Sequence, residues 1–247
     1  MSQINNNSLI VAQGEFSPTV RNLAPGVRDV SPIGGDLEVR CYPVERVHFE
    51  ALPSKVFFRA TKRVGDFLFS LLALIVLAIP SVVIAILIKL DSEGPVLFRQ
   101  ERIGMGGRPF MLVKFRSMRV DAEAGGAQWA SANDERVTRV GHFLRRSRLD
   151  EIPQFINVLR GEMSLIGPRP ERLVFYQEFE RYIPGFSQRL YIRPGISGLA
   201  QVNGGYDLAP QEKIVYDIEY IKRRSALLDF LIVLKTLGVL FSHVGAR

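Results

Sequence analysis

The longest uncharged stretch of the chain, "FLFSLLALIVLAIPSVVIAILI", has 22 residues and runs from Phe67 to Ile88. As a straight helix it would be about 33 Å long, which is enough to cross the hydrocarbon core of a bilayer. The core of a globular domain rarely holds a helix that is apolar on every face. The stretch therefore predicts a membrane-inserted helix, and we place that segment at residues 55–90.

Pro80 lies inside this stretch, and it lacks the backbone donor that would bond the carbonyl of Val76. We therefore expect a kink there. Basic residues flank both ends of the stretch: Lys55, Arg59, Lys62, Arg63, Lys89, Arg99 and Arg102. Basic flanks favour the cytoplasmic side, so a re-entrant helix that enters and leaves by one face is one interpretation. A kinked spanning helix is the other, because proline is tolerated in such helices.

The segments around the membrane helix differ in composition. Residues 1–54 contain recurring prolines without hydrophobic periodicity, which predicts a flexible tail. Residues 91–224 predict a mixed α/β domain that is mostly helical. Residues 225–247 are strongly apolar but are interrupted by Asp229 and Lys235. That pattern predicts a helix lying in the membrane interface.

Two alternating stretches, "GPVLFRQERIG" and "GRPFMLVKFRSM", meet at the glycine-rich turn "GMGG" and predict a short β-hairpin. This hairpin would bring four basic side chains close together: Arg99, Arg102, Lys114 and Arg116. Further along, "IPQFINVLRG" has apolar residues at helical spacing and predicts a helix that ends at Gly161. Residues 171–183 predict another amphipathic helix.

The net charge of +7 indicates an anionic partner: nucleic acid, anionic lipid or a phosphorylated substrate. Cys41 is the single cysteine, which excludes a disulfide framework and a cysteine-based metal site. The three histidines are far apart in sequence and lack metal-ligand spacing, so no catalytic zinc is expected.

Asp150 and Glu151 are adjacent carboxylates in a segment, residues 136–172, that has eight arginines and no lysine. Pro153 fits best in the first turn of a helix, so we expect Asp150 to be the N-cap. The helix dipole should favour the ionised form of both carboxylates. Three nearby arginines should add to this effect: Arg145, Arg146 and Arg148. An ionised carboxylate can bind Mg²⁺ or act as a nucleophile, although helix capping with surface ion pairs explains the same pattern.

The run "SLIGPRP" ends in a rigid turn around Arg169. Pro168 and Pro170 restrict the backbone on both sides, so the guanidinium group should point in a defined direction. The planar fork of arginine suits phosphate oxygens. A tight turn with an exposed arginine is the simpler interpretation.

Five segments, in order, carry a family resemblance: "KRVGDFLFSLL", "GPVLFRQERIG", "VKFRSM", "LRRSRLDEIPQFINVLRGEMSLIGPRP" and "IRPGISGLAQVNG". Over about residues 60–245 the chain resembles the bacterial sugar transferase family of small monotopic phosphoglycosyl transferases. Many members break the membrane helix at a Ser-Pro pair, whereas here Ile79 precedes Pro80 and Ser81 follows it. The resemblance favours the re-entrant interpretation.

The resemblance implies transfer of a phosphosugar from a UDP-sugar to a polyprenyl phosphate, with release of UMP, at the start of glycan assembly. It implies Asp150 as the nucleophile, Glu151 as its partner and Mg²⁺, bound by both carboxylates, as the cofactor. The basic side chains that would hold phosphate are Arg99, Lys114, Arg116, Arg145, Arg146, Arg148 and Arg169. We expect the bacterial inner membrane with a cytoplasmic catalytic domain, and we leave homodimer formation open.

A non-catalytic membrane module that binds anionic lipid or nucleic acid is the alternative function. Such a module needs neither an acidic pair among its arginines nor a Pro-Arg-Pro turn. Aromatic residues also do not alternate with the basic ones, as stacking on single-stranded nucleic acid requires. We therefore expect no nucleic-acid partner.

Overall fold

The structure is a computed structural model that describes residues 44–48, 55–124, 134–205 and 208–242. Most of the tail predicted for residues 1–54 lies outside these ranges. Within it, Val44 and Val47 pack against the core of the following domain. The backbone N–H of Val47 donates to Gln188 Oε1 at 2.7 Å.

The apolar stretch forms two helices, α1 (Val56–Val76) and α2 (Ala78–Asp91), which meet at Leu77 with a bend of 61°. Pro80 is the third residue of α2, so the bend lies one turn before the residue that cannot donate a backbone hydrogen bond. Within the described residues no single helix is both long and apolar enough to cross a membrane. By length and composition the bent pair passes that test.

Large apolar side chains cover the outer surface of α1 and α2, and Ile79 and Leu90 are each 79% exposed. In water such a surface is unfavourable, and an extensive one is typical of contact with a membrane or a partner. The buried positions of α1 are polar, Asp66 and Ser70, whereas those of α2 are Ile84 and Ile88. Helix α1 therefore exposes apolar side chains and buries polar ones, the reverse of a helix in a water-soluble protein.

The predicted β-hairpin is confirmed. Strands β1 (Leu97–Ile103) and β2 (Pro109–Phe115) pair antiparallel, with Leu97 opposite Phe115. A 3₁₀ turn at Met105–Gly107 joins them, with Gly106 in the left-handed region at φ 70°. The strands therefore present Arg99 and Lys114 on a rigid two-stranded support.

A second pair of strands was not predicted. Strand β3 (Ser164–Ile166) and strand β4 (Gly195–Ser197) pair in parallel, with Ser164 opposite Gly195. The pairing joins the start of "SLIGPRP" to the "GIS" of "IRPGISG", about thirty residues further along the sequence. Since the described residues are otherwise mostly helical, the predicted mixed and mostly helical class is confirmed.

The remaining helices are α3 (Arg139–Arg146), α4 (Gln154–Arg160), α5 (Leu173–Tyr182), α6 (Leu199–Val202), α7 (Pro210–Arg223) and α8 (Ala226–Ser242). Gly161 ends α4 with φ 83°, as predicted. The predicted start of that helix was wrong, because α4 begins at Gln154 with Pro153 as its N-cap. Asp150 lies instead in a 3₁₀ turn, Leu149–Glu151.

The largest core cluster packs α5 and α7 around a 3₁₀ segment, Phe186–Tyr191. Its aromatic centre contains Phe179 and Phe186, whose ring centroids are 5.1 Å apart. Helix α8 packs Ile232 onto β3 and α7, while Leu227 and Phe230 are more than half exposed. Its orientation in a membrane interface stays a prediction.

Candidate active site

A cavity of about 850 Å³ opens between the β-hairpin, the Leu149–Glu151 turn, the segment after β3 and helices α6 and α7. Eight of the predicted site residues, all of them charged, line this cavity: Arg99, Lys114, Arg116, Arg145, Arg148, Asp150, Glu151 and Arg169. The structure therefore brings the acidic pair and the Pro-Arg-Pro turn to one place.

The backbone at Arg148 directs the acidic pair into this cavity. Arg148 has φ 56° and is the one non-glycine residue with positive φ among the described residues. Side chains other than glycine seldom adopt this conformation. It reverses the chain after α3, and the 3₁₀ turn that follows is closed by a bond of 3.2 Å from Glu151 N to Arg148 O.

Glu151 and Arg169 form the central ion pair of the cavity. Arg169 Nη2 donates to Glu151 Oε1 at 2.7 Å, and Nη1 donates to Oε2 at 3.4 Å. This two-point geometry is the strong arrangement for arginine with a carboxylate. Arg148 Nη1 lies 3.8 Å from the same Oε1. The negative charge of Glu151 is thus balanced by two guanidinium groups, those of Arg169 and Arg148.

The turn that carries Arg169 is held through its own backbone carbonyls, which accept one bond from a backbone amide and one from an arginine side chain. Gly195 N donates to Pro168 O at 2.9 Å, and Arg189 Nη2 donates to Arg169 O at 2.9 Å. A Cβ atom at Gly195 would lie 2.1 Å from Gly167 N. Only glycine allows this approach, which explains the glycine in "RPGISG".

Asp150 is only 8% exposed, and among the described residues its carboxylate accepts no hydrogen bond. Burial, followed by the charge of Glu151, raises the pKa of Asp150 to about 6. Lys114, Arg145 and Arg169 oppose this rise. The sequence-based expectation of a dipole-stabilised carboxylate was therefore wrong in direction, although a pKa of 6 leaves Asp150 mostly ionised at pH 7.

Burial alone would also raise the pKa of Glu151, but the Arg169 and Arg148 guanidinium groups outweigh it, so this pKa lies below its usual value. Two adjacent carboxylates thus have pKa values moved in opposite directions. Such a separation is typical of carboxylates with different chemical roles.

Lys114 faces the acidic pair from β2. Burial lowers the pKa of Lys114 to about 8, and the charge of Asp150 partly offsets this effect. Its Nζ lies 5.2 Å from the centre of the Phe98 ring. Arg145 approaches from α3 and is oriented by a bond of 2.9 Å from its Nε to Ser117 Oγ.

Two predicted phosphate ligands are placed differently. Arg116 lines the cavity wall, but its guanidinium donates to the backbone carbonyls of Ser92 and Glu93 and so fastens the end of α2 to β2. Arg146 is exposed and does not line the cavity. We therefore correct both predictions, because neither guanidinium is available to a phosphate beside Asp150.

The sequence analysis missed the buried ion pair of Arg189 and Asp217, in which Nε lies 2.7 Å from Oδ2. Arg189 lines the cavity and supports the Arg169 backbone. A signal was present, since Asp217 shares the apolar face of α7 with Ile214 and Ile218. A charge on an apolar helix face requires a buried partner.

No group of three or more His, Cys, Asp or Glu side chains that could hold a metal occurs in the described parts of the chain. Mg²⁺ commonly takes only one or two carboxylates and completes its shell with substrate phosphates and water. Asp150, with a carboxylate that accepts no hydrogen bond from the described residues, and Glu151 beside it fit that requirement.

A buried, ionisable carboxylate that faces lysine and arginine groups in a cavity is typical of enzymes that transfer phosphoryl groups. The comparison with known families agrees with this class. The model of the family described as "Bacterial sugar transferase" matches residues 57–243, and the chain belongs to that family.

Three relatives illustrate the similarity. The UDP-N-acetylgalactosamine-undecaprenyl-phosphate N-acetylgalactosaminephosphotransferase of Aeromonas hydrophila is 48% identical over 79% of this chain and 47% of its own length. UDP-glucose:undecaprenyl-phosphate glucose-1-phosphate transferases are similar as well. The protein from Xanthomonas campestris is 45% identical over 73% of this chain and 38% of its own. The protein from Caulobacter vibrioides is 41% identical over 75% of this chain and 71% of its own.

The chain thus spans less than half the length of the Aeromonas and Xanthomonas relatives. The resemblance noted from the sequence is confirmed at the level of the family. The matched region contains the whole cavity described above.

Proposed function

We propose that this protein transfers a sugar-1-phosphate from a UDP-sugar to undecaprenyl phosphate, releasing UMP and starting the assembly of a bacterial glycan. The names of the relatives support the substrate classes. The single observation that carries the proposal is Asp150. Its buried carboxylate faces a cavity lined by cationic groups, where a diphosphate fits by charge.

In the first step, a carboxylate oxygen of Asp150 attacks the phosphorus that carries the sugar. The bond from this phosphorus to the bridging oxygen of the diphosphate breaks, and UMP leaves. In the second step, a phosphate oxygen of undecaprenyl phosphate attacks the same phosphorus. The bond to Asp150 then breaks, which regenerates the carboxylate and yields a polyprenyl diphosphate sugar.

The cationic side chains bind and orient the phosphates in both steps. Arg169 has the planar fork for two phosphate oxygens, while Lys114 supplies a compact charge beside Asp150. Arg145 and Arg148 extend the positive surface along the cavity. These groups offset the repulsion between the Asp150 carboxylate and an anionic substrate.

Asp150 and Glu151 would hold Mg²⁺, which supplies charge neutralisation to the diphosphate when bound. Glu151 also keeps Arg169 oriented in the absence of substrate, through the contact of 2.7 Å. Asp150 has no such fixed partner among the described residues, which suits a group that must form and break a bond.

The bent pair of α1 and α2 serves, in this proposal, as a re-entrant anchor in the inner membrane. Basic residues at both ends favour the cytoplasmic side, and the outer surface of the pair is apolar. The catalytic cavity then lies on the cytoplasmic side, where sugar nucleotides are available. Undecaprenyl phosphate would reach it from the bilayer.

The test is UMP release by the full-length protein in detergent or nanodiscs with undecaprenyl phosphate and Mg²⁺. UDP-glucose, UDP-galactose and UDP-N-acetylgalactosamine form the starting panel. We expect release with at least one donor, and none with Asp150→Asn, since an amide cannot act as the nucleophile. Release by Asp150→Asn at the wild-type rate would exclude this mechanism. No release with any donor would favour the non-catalytic basic module.

A further inference from the structure

Gln201 lies in α6 and lines the same cavity as Asp150 and Glu151. Both polar atoms of its side-chain amide, Nε2 and Oε1, are shielded from solvent and have no hydrogen-bond partner within the described residues. Buried polar groups in native proteins are nearly always paired, so an unpaired donor and acceptor on a residue that lines a cavity indicate a missing partner. Side-chain rotations on binding are common, and such a rotation would turn this shielded amide toward the cavity. The phosphate chemistry proposed above makes no use of this amide.

The absence of a side chain at Gly198 lets the amide lie close against the backbone in this position. A Cβ atom at Gly198 would lie 2.6 Å from Gln201 Oε1 and 2.2 Å from the carbonyl oxygen of Gly167. Any other residue at position 198 would therefore displace the amide. In the strand just before Gly198, the carbonyl oxygen of Ile196 accepts a hydrogen bond of 3.5 Å from Arg169 Nη1. Gln201 is thus carried by the segment that also contacts the candidate phosphate ligand.

We infer that Gln201 recognises the nucleotide base of the donor, through paired hydrogen bonds to the uracil edge. This inference rests on the proposed function, which supplies the UDP-sugar. A glutamine amide presents one donor and one acceptor side by side in a plane. The N3–H group and the neighbouring carbonyl of uracil present the complementary pair, and amide side chains read bases in this bidentate way.

The character of the neighbouring side chains agrees with a base rather than with a phosphate. The positive charges of Lys114 and Arg169 suit a negatively charged phosphate. The amide of Gln201 is neutral and suits a neutral ligand group such as a base. Phe175 lines the same cavity and offers an aromatic ring. Stacking on such rings is a common way to hold a base. The UDP-sugar would then be bound at two points, the base and the diphosphate.

The first test measures the affinity of the full-length protein for UDP, which carries the base and the diphosphate but no sugar. Gln201→Leu keeps the approximate size of the side chain and removes both polar atoms. We expect it to weaken UDP binding at least tenfold without changing the melting temperature. Gln177→Leu, at an exposed position of α5, is the matched control and should bind UDP as the wild type does.

The second test uses UDP methylated at N3 of uracil. The methyl group replaces the hydrogen that N3 would donate to the Gln201 amide. The wild type should lose at least tenfold in affinity for this ligand, and Gln201→Leu should bind both forms equally. Equal binding of both forms by the wild type would overturn the inference. So would a Gln201→Leu variant that binds UDP normally, because water would then satisfy the amide.

A Gln201→Leu variant that weakens binding of the UDP-sugar but not of UDP would place the contact at the sugar, which also contradicts the inference. Failure of the wild type to bind UDP at all would overturn the proposed function together with this inference. If the wild type binds UDP and Gln201→Leu binds it equally well, the inference about Gln201 is overturned and the proposed function is not. The two claims can therefore fail separately.

Discussion

At the scale of single residues, the site depends on neighbouring carboxylates with different surroundings. Glu151 is neutralised by Arg169 and Arg148, while Asp150 is buried without a hydrogen-bond partner in the described part of the chain. The adjacent "DE" and the nearby arginines were visible in the sequence. The rise in the pKa of Asp150 was not, because it follows from burial, which only the folded chain creates.

The pH dependence of kcat/KM should reflect these groups. Asp150 must be deprotonated to attack, so activity should fall as the pH drops through its pKa of about 6. Lys114 must be protonated to bind phosphate, so activity should also fall as the pH rises through its pKa of about 8. We expect a bell-shaped profile between these limits.

Lys114→Arg provides the control for the alkaline limb. Arginine stays protonated throughout the accessible range, so the decline above pH 8 should move upward while the acid limb stays in place. If the alkaline limb is identical in Lys114→Arg and in the wild type, Lys114 is not the group that titrates there.

Arg169→Lys should reduce turnover at least tenfold, which corresponds to about 1.4 kcal/mol of transition-state stabilisation. Lysine keeps the charge but loses the two-point contact. The melting temperature should change little, because the backbone amide of Gly195 and the guanidinium of Arg189 hold the turn through its carbonyls, without the Arg169 side chain. Arg146→Lys, exposed and outside the cavity, is the matched control with unchanged turnover. Normal turnover by Arg169→Lys would show that the turn is purely structural.

At the scale of helices and strands, the features that depend on a few neighbouring residues could be predicted from the sequence. The β-hairpin, the end of α4 at Gly161 and a break in the apolar helix follow from alternation, a left-handed glycine and a proline. The pairing of β3 with β4 could not be predicted. Each strand has only three residues, and their contact depends on the folding of everything between them.

Two polar side chains in the middle of α1 hold the elements on either side of the site. Arg63 donates to the carbonyls of Val158 and Leu159 at 2.6 and 2.9 Å, at the end of α4. Ser164 Oγ of β3 donates to Asp66 Oδ2 at 2.6 Å. Helix α4 leads from the turn that carries Glu151, and β3 leads to the turn that carries Arg169, so α1 supports both parts of the site.

Gly195→Ala tests the close approach of β4 to the turn before Arg169. The added Cβ would lie 2.1 Å from Gly167 N, so we expect a loss of about 2 kcal/mol of stability, the usual cost of overpacking. Activity should fall more steeply than stability, since Arg169 moves with the turn. Thermal unfolding and UMP release measure the two effects.

Gly238→Ala in α8 is the matched control, because a Cβ there meets nothing within 4 Å. It should leave activity unchanged. A stable and fully active Gly195→Ala would contradict the close packing of these two segments.

At the scale of the whole molecule, apolar side chains are exposed along α1, α2 and α8, while the polar contacts between these helices face inward. Lys62 Nζ lies 2.7 Å from Asp229 Oδ2, which joins α1 to α8. Tyr220 donates to the other oxygen of Asp229 at 2.7 Å. Asp229 thereby connects α1, α7 and α8.

Topology labelling tests the re-entrant anchor. In a Cys41→Ser background, cysteines introduced at Thr61 and Ser92 should both react only with reagents that reach the cytoplasmic side. Pro80→Leu restores a backbone donor and should shift the helix toward spanning. Labelling of the Thr61 position from outside the membrane in the Pro80 protein would show that the helix crosses.

The covalent intermediate is the most direct test of the central claim, that Asp150 carries the sugar phosphate. The protein is incubated with a UDP-sugar labelled with ³²P on the phosphate that bears the sugar, in the absence of lipid acceptor. We expect label on the peptide that contains Asp150, an equal amount of UMP, and transfer of the label to undecaprenyl phosphate when it is added. Asp150→Asn should acquire no label. UMP that forms only after lipid is added, with an unlabelled protein throughout, would contradict the account.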